Sequence, residues 1–395
     1  MSKRIAFIGL TLISGLTTLT SFGQTSTKAN VNGQTGTDFV TTAVPFLRIS
    51  PDARAGAMGD ASIAVSPDAN AQYWDVAKIP FSDKKYGVSA TYTPWLKDLV
   101  PDIFLAYIAG YAKFGENDDQ AISASMRYFS LGNISYTDFN ANPIGTGMPR
   151  EYSFDAGYSR RLSPYLGVGV TMRYIHSAIA SGVSAQPGTD YKPGNTFAAD
   201  LGVFYTRTKD IDGIKSRTFS FGAVASNIGG KISYNNTRKD FIPMNLGIGV
   251  AYTSKFDEYN AITFALDVNK LLVPALNSAD TQVTVVSGIL GSFTDAPGGA
   301  SGELKQIDIS FGAEYWYQNQ FALRAGYFYE NPDNGDRQYF TTGIGVKYNV
   351  FQLNASYLIP SGSGISRNPL SNTLRFSLLF AFDKLEKPTD AGSSE

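Results

Sequence analysis

From Lys85 onward, apolar and polar residues alternate with a period of two, the repeat of a strand whose two faces meet different surroundings. Runs bounded by turn residues predict fourteen strands, over 85–94, 103–114, 121–134, 151–161, 166–176, 196–207, 218–228, 242–253, 260–269, 307–316, 321–329, 340–348, 351–358 and 373–382. Most exceed the about 5–6 residues usual in soluble sheets and match the about 9–11 of a tilted strand crossing a bilayer. Leu166, Val168, Val170, Met172 and Tyr174 share one face, with Gly167, Gly169, Thr171 and Arg173 on the other. Ile307, Ile309, Phe311, Ala313 and Tyr315 likewise oppose Asp308, Ser310, Gly312 and Glu314. The strand-interior charges are Arg127, Asp155, Arg173, Asp200, Asp267, Asp308, Glu314, Arg324, Lys347 and Arg375. Each falls opposite the apolar set, as a register with one dry face requires.

Alternation alone leaves open whether the dry face points inward, as in a secreted β-sandwich, or outward, as in a membrane barrel. The connections discriminate. Long links (95–102, 135–150, 177–195, 229–241, 270–306, 330–339, 359–372) alternate with mostly short ones (115–120, 162–165, 208–217, 254–259, 317–320, 349–350). An even strand count with alternating long and short links is the layout of an outer-membrane barrel, with extracellular loops and periplasmic turns. Tyr128, Tyr158, Tyr252, Tyr348 and Phe382 at strand ends suit its aromatic girdles. The expected fold is therefore an all-β membrane protein, a 14-stranded antiparallel outer-membrane β-barrel over 85–382.

What precedes the strands divides in three. Lys3 and Arg4, the apolar Ile5–Leu19 run and Ser21-Phe22-Gly23 read as a signal peptide over 1–23, cut before Gln24. Residues 24–45 are polar and aperiodic, a flexible periplasmic lead-in. Residues 46–84 are dense in small residues and repeat one phrase, Ser50-Pro51-Asp52-Ala53 and Ser66-Pro67-Asp68-Ala69. Ser followed by Pro reads as an N-cap and first helical position, so Ser50 and Ser66 are expected to start short helices. A compact segment entering from the periplasmic side suits a plug of the lumen; a periplasmic arm is the alternative. Its candidate residues are Phe46, Leu47, Arg48, Ser50, Pro51, Arg54, Met58, Ser66, Pro67, Tyr73 and Trp74. Residues 383–395 form a polar periplasmic tail.

Composition removes most chemistry. With no cysteine, one histidine and a net charge of −1 there is no thiolate or His-rich metal site, no triad and no basic field for nucleic acid. His176 reads as a rim residue, Asp333-Asn334-Gly335-Asp336 as turn chemistry, and Gly167-Val168-Gly169 and Gly247-Ile248-Gly249 as strand rather than dinucleotide loops. No enzyme and no cofactor are expected. The inward charges suit either a polar pore or a lumen in which they satisfy one another. The 270–306 link carries Leu271, Leu272, Val273, Leu276, Val283, Val285, Val286, Ile289 and Leu290. A long apolar loop reads as a partner site or as a lid over the lumen.

The run Phe46-Leu47-Arg48-Ile49-Ser50-Pro51-Asp52-Ala53-Arg54-Ala55-Gly56-Ala57-Met58-Gly59-Asp60-Ala61, then Ser66-Pro67-Asp68-Ala69-Asn70-Ala71-Gln72-Tyr73-Trp74, resembles the N-terminal signature of the PorV family, as does Phe129-Ser130-Leu131-Gly132. That family belongs with the FadL-like fourteen-stranded barrels. FadL-like proteins commonly place Asn-Pro-Ala after the aromatic pair, where this chain has Asp75-Val76-Ala77. The resemblance implies an integral component of the cell outer membrane acting in type IX secretion in Bacteroidetes. Its implied partners are an SprA-type translocon barrel, cargo with a C-terminal signal domain, a sortase-like attachment complex and outer-membrane lipid. The FadL-like alternative is a transporter of long-chain fatty acids or other hydrophobes.

Overall fold

A computed structural model describes residues 40–95, 102–137, 140, 142–179, 192–235, 238–275, 283–359 and 373–383. The expected signal peptide, most of the lead-in and nearly all of the C-terminal tail lie outside them. The strands are β1 Tyr86–Pro94, β2 Ile103–Phe114, β3 Gln120–Leu131, β4 Ile134–Thr137, β5 Pro143–Gly147, β6 Arg150–Arg161, β7 Leu166–Ala178, β8 Gly194–Asp210, β9 Ser216–Gly229, β10 Asn245–Lys255, β11 Asn260–Leu271, β12 Ile307–Tyr317, β13 Phe321–Tyr329, β14 Gln338–Tyr348, β15 Phe351–Ile359 and β16 Leu374–Phe382. All but β4 and β5 form one closed antiparallel barrel of fourteen strands, β6 following β3 in the ring. Closure runs from Tyr86 opposite Phe382 to Tyr92 opposite Phe376. β4 and β5 pair with each other as a hairpin in the link after β3, an element the polarity pattern did not reveal.

The barrel is polar inside and apolar outside. On β12, Asp308, Ser310 and Glu314 are 9%, 1% and 2% exposed, while Ile309 and Phe311 between them are 39% and 47% exposed. Ile108, Ile122, Phe197, Leu201, Leu323 and Ile344 project outward around the ring in the same way. Water would not tolerate a continuous wall of this kind, but lipid does, and closure leaves no strand edge unsatisfied in hydrocarbon.

The departures from the expected boundaries have local causes. Gly132, at φ 74°, turns the chain out of β3 before residue 134. β10 begins at Asn245 rather than 242, because Pro243 has no N–H for the ladder and Ile242 and Met244 bury instead in an apolar cluster at the long-loop end. β8 and β9 extend toward a turn at 211–215. Their register shifts between Ala199 and Leu201; Asn227, at φ 57°, sits in that bulge and its N–H donates to Asp200 at 2.6 Å.

The outward side chain of Phe311 lies near the middle of β12. Phe311→Arg is expected to lower barrel stability by about 2–4 kcal/mol, read by urea unfolding in lipid vesicles, while the inward Ser310→Thr is nearly neutral. Equal tolerance at both positions would mean that the apolar face does not meet lipid.

Candidate functional site

The segment preceding β1 lies within the barrel and runs along it. It contains 3₁₀ turns at Pro45–Arg48 and Val76–Phe81 and two short helices, α1 Ala53–Gly56 and α2 Ala71–Trp74. Its start is at the long-loop end, opposite to expectation. The Ala43 N–H donates to the Phe241 carbonyl at 2.9 Å, and Val40, Val44, Phe46 and Leu47 bury against Trp95, Leu105, Phe129, Ile242, Met244, Leu272 and Val273. The barrel wall below is polar, so this is where a run of Val, Phe and Leu can leave water. Residues 40–45, expected as flexible lead-in, are thus part of the packed structure. The chain then descends to the short-turn end, where Lys84 pairs with Asp383 at 2.6 Å. Val44 adopts φ 49°, a conformation a β-branched residue holds only when its surroundings fix it.

The two copies of the repeated phrase fold against each other. Asp52, not Ser50, caps α1, accepting the Ala55 N–H at 2.9 Å. Ser50 is buried instead, and its hydroxyl has no partner among the described residues. Ser66 caps no helix: its hydroxyl accepts from Arg54 at 2.8 Å, and α2 follows Asn70. The serines miss the caps because each proline precedes an aspartate, and that carboxylate, at Asp52 and Asp68, reaches the following N–H groups first. Arg54 also donates to the Ser66 carbonyl at 2.9 Å and pairs with Asp68 at 3.2 Å. Trp74 Nε1 donates to Asp52 at 2.7 Å. Asp75, at the family departure, caps the 76–81 turn through the Ala77 N–H at 2.9 Å.

The inward charges hold this segment and one another. Glu314 accepts two bonds from Arg54, at 2.9 and 2.7 Å, and one from Arg324 at 2.7 Å. Asp267 accepts the backbone N–H groups of Ser62 and Ile63 at 2.6 and 2.8 Å. Arg127 donates to the Phe46 and Leu47 carbonyls, both at 3.1 Å, and lies 4.4 Å from the Tyr73 ring. Arg173 bridges Asp155 at 2.8 Å and Asp200 at 2.9 Å. Arg48 pairs with Asp308 at 2.9 Å and Arg375 with Asp60 at 3.7 Å. Lys347 stands apart, half-buried near the turn end. Of the two readings of these charges, mutual satisfaction describes the arrangement. Beyond the strands, burial works to raise the Glu330 carboxyl, but bonds from Arg337 at 2.6 and 2.8 Å prevail and hold it below its ordinary range.

Inward glycines make room for the segment. A Cβ on Gly326 would meet the Met58–Gly59 backbone, on Gly312 the Met58 side chain and carbonyl, and on Gly167 the Ala77 carbonyl. Gly167 and Gly169 fit the strand period, but that period alone does not say what they face. Glycines on the wet face of a strand were the available signal, since they mark a close backbone approach. Pro51 and Met58 are buried, Pro67, Tyr73 and Trp74 half-buried and Ser66 exposed.

The 270–306 link is divided. It holds α3 Val285–Gly291 and α4 Ala300–Lys305, tied down by Lys270 donating to Glu303 and Gln306, both at 2.7 Å. Leu271 ends β11; Leu272 and Val273 are buried, and Leu271, Val285 and Ile289 pack on the same cluster as Phe46 and Leu47. Val283 is half-buried and Leu276 lies outside the described residues. The exposed apolar surface is therefore narrower than expected: Val286 (67%) and Leu290 (69%) from α3, and, elsewhere in the link, Phe293 after α3 and Leu304 on α4. His176 faces outward, stacked on Tyr152 with centroids 4.6 Å apart. Among the described residues no His/Asp/Glu group is arranged to hold a metal.

The family model described as type IX secretion system protein PorV matches residues 32–278. No curated protein matches the chain in sequence. Among solved structures, the CymD monoaromatic hydrocarbon channel is similar at 12% identity and TM-score 0.49, covering 85% of this chain and 98% of its own. The P. putida toluene transporter TodX is similar at 11% and 0.48, covering 86% and 100%. A Pseudomonas aeruginosa FadL homologue is similar at 10% and 0.41, covering 88% and 99%.

Two outcomes follow from this geometry. Gly326→Val forces a side chain into the Met58–Gly59 backbone and is expected to cost about 1–3 kcal/mol and to expose residues 46–81 to protease in purified protein; a protected segment would mean that the strand is not its seat. With no native cysteine, Thr41→Cys and Thr294→Cys should label together from one side of the membrane with an impermeant reagent, and Asn117→Cys and Asn319→Cys from the other. Labelling of Thr41→Cys with the Asn117 group would reverse the path of the segment.

Proposed function

Because the chain belongs to the PorV family of type IX secretion system proteins, we propose that this outer-membrane barrel works as an interaction subunit of the secretion machinery and not as a conduit. In this reading it is exported by its signal peptide and associates with an SprA-type translocon barrel. It receives cargo bearing a C-terminal signal domain and passes it to a sortase-like attachment complex. Residues 46–81 act as a plug. The long loops face outside and the short turns the periplasm.

The observation that carries the reading is the exposed face of the 270–306 link. Val286 and Leu290 project from α3 while Val285 and Ile289, on its other side, anchor it to the buried cluster. Apolar side chains held rigidly and left in water are the usual dry centre of a protein interface. The plug is supported by the paired charges and inward glycines, which leave the segment filling the space a channel would need. Transport of hydrophobes requires an apolar path, and the inward wall is instead built from Asp267, Glu314, Arg324, Arg173 and their partners.

Val286→Asp combined with Leu290→Asp leaves the buried side of α3 intact, so the barrel should still insert. Proteins with the C-terminal signal are expected to reach the surface at most at a few per cent of the normal level, since each interface anchor is worth about 2 kcal/mol. Surface proteomics against the wild type and a full deletion reads this out. Normal export by the double variant with loss in the deletion would move the contact elsewhere; normal export in the deletion with reduced hydrophobe uptake would replace the reading by the transport one.

A further inference from the structure

β8 and β9 run past the barrel rim at the short-turn end. The β7 ladder stops where Leu166 pairs with Tyr205, whereas β8 and β9 stay paired as far as Asp210 opposite Ser216. Alternation carries the outward face of β8 from Val203 and Tyr205 to Arg207 and Lys209, and that of β9 from Phe221 and Phe219 to Arg217. Lys209 stands directly opposite Arg217, and Arg207 opposite Phe219. All three cations are exposed. Like charges placed opposite each other across two strands repel and weaken the pairing.

No carboxylate in the hairpin relieves them. Asp210 accepts the Gly213 N–H at 2.7 Å, and Asp212 accepts the Lys215 N–H at 2.7 Å and pairs with its ammonium at 3.3 Å. Among the described residues none of the three cations takes part in an ion pair. Other cations at this end do: Lys84 with Asp383 at 2.6 Å, Lys85 with Asp118 at 3.0 Å and Arg160 with Asp119 at 3.8 Å. Charge on the free edge of β8 would block unwanted strand pairing, but Arg217 lies on β9, which is laddered on both sides and has no edge to guard.

The patch adjoins the lipid-facing wall. The Arg207 guanidinium lies 5.7 Å from the Tyr165 ring, whose centroid is 6.4 Å from that of Tyr205. With Phe219 these rings form an aromatic band, which marks the depth where hydrocarbon gives way to headgroups. Arg207 and Lys209 follow Tyr205 by two and four residues, about 7 and 13 Å along the strand. The headgroup layer is about 5–7 Å deep, and the long stems of Lys and Arg can span the remainder.

We propose that this face of the β8–β9 hairpin binds the phosphate of an anionic phospholipid in the adjoining leaflet. Lys209 and Arg217 take its oxygens, Arg207 stands beside them, and the acyl chains run along Leu201, Val203 and Phe219. The phosphate supplies the negative charge that the hairpin lacks and turns a repulsion into an attraction. A zwitterionic headgroup brings its own ammonium and offers less. The site does not depend on the secretion reading.

The test uses the full-length barrel in a nonionic polyoxyethylene detergent, titrated with phosphatidylglycerol, phosphatidylethanolamine, inorganic phosphate or poly-L-glutamate and followed by native mass spectrometry. Phosphatidylglycerol is expected to bind saturably and more tightly than phosphatidylethanolamine. Lys209→Gln should weaken it about 5-fold, and Lys209→Gln with Arg217→Gln about 30-fold. Arg238→Gln with Lys239→Gln, which removes the same charge in the 229–241 link at the other end, should leave it unchanged. Without lipid, the Lys209/Arg217 double variant should unfold at no lower temperature than wild type, because a repulsion is relieved and no partner is lost. Phosphatidylglycerol should then raise the unfolding temperature of wild type but not of that variant. Equal affinity for the two phospholipids, equal loss in both double variants, or a fall in lipid-free stability would overturn the site. So would inorganic phosphate bound as tightly as the lipid, which would make it a free-anion site. Poly-L-glutamate binding lost in the variant while phosphatidylglycerol binding persists would assign the patch to an acidic protein instead.

Discussion

The structure depends on one constraint: a barrel in lipid that points its charges inward must neutralise them without water's full help. An unpaired ion in that setting is costly, whereas a paired and hydrogen-bonded one is tolerated. Glu314 between Arg54 and Arg324 is the clearest case, because one partner comes from the wall and the other from the segment inside. Asp267, held by two backbone N–H groups of Ser62 and Ile63, is another. Neither the inner wall nor the segment is satisfied alone. The segment completes the wall's hydrogen bonding.

That constraint explains the shape of the contact. Hydrogen bonds from backbone to wall carboxylates require the segment's main chain to approach the strands closely, and only residues without a Cβ allow this. Gly312 and Gly326 therefore face Met58 and Gly59, and Gly167 faces Ala77. The small-residue density of Ala53–Ala64 is the other half of the same fit. Small faces small, and the tether charges lie between.

The loop end follows different physics. There the segment is apolar, and Phe46 and Leu47 join residues from the walls and from the 230–244 and 270–306 links in one cluster. Their carbonyls at the same time bind Arg127, which stacks on Tyr73 in the lumen. The covering loops and the interior segment thus close on the same residues. Anything that shifts α3 through Val285 and Ile289 acts on the segment as well, because packed interiors transmit displacement instead of absorbing it.

The strands, their inward charges and the outward apolar face were legible in the residues themselves, because a period of two assigns every side chain to a face before any contact is known. Long and short links assigned the faces to lipid and lumen for the same local reason. The repeated Ser-Pro-Asp phrase marked the segment, but not that Asp52 would take the cap and Ser50 be left buried. Sequence order alone also put the entry of the segment at the wrong end, since the cluster that draws Val40–Leu47 upward is assembled from seven strands and three links far apart in the chain. For the same reason the exposed part of the 270–306 link was overestimated: whether Leu272 or Leu290 faces water depends on what lies beneath it. Local pattern determined which face each residue takes, and only the closed barrel decided which partner it meets there, because partners separated by up to about three hundred residues become neighbours only on closure.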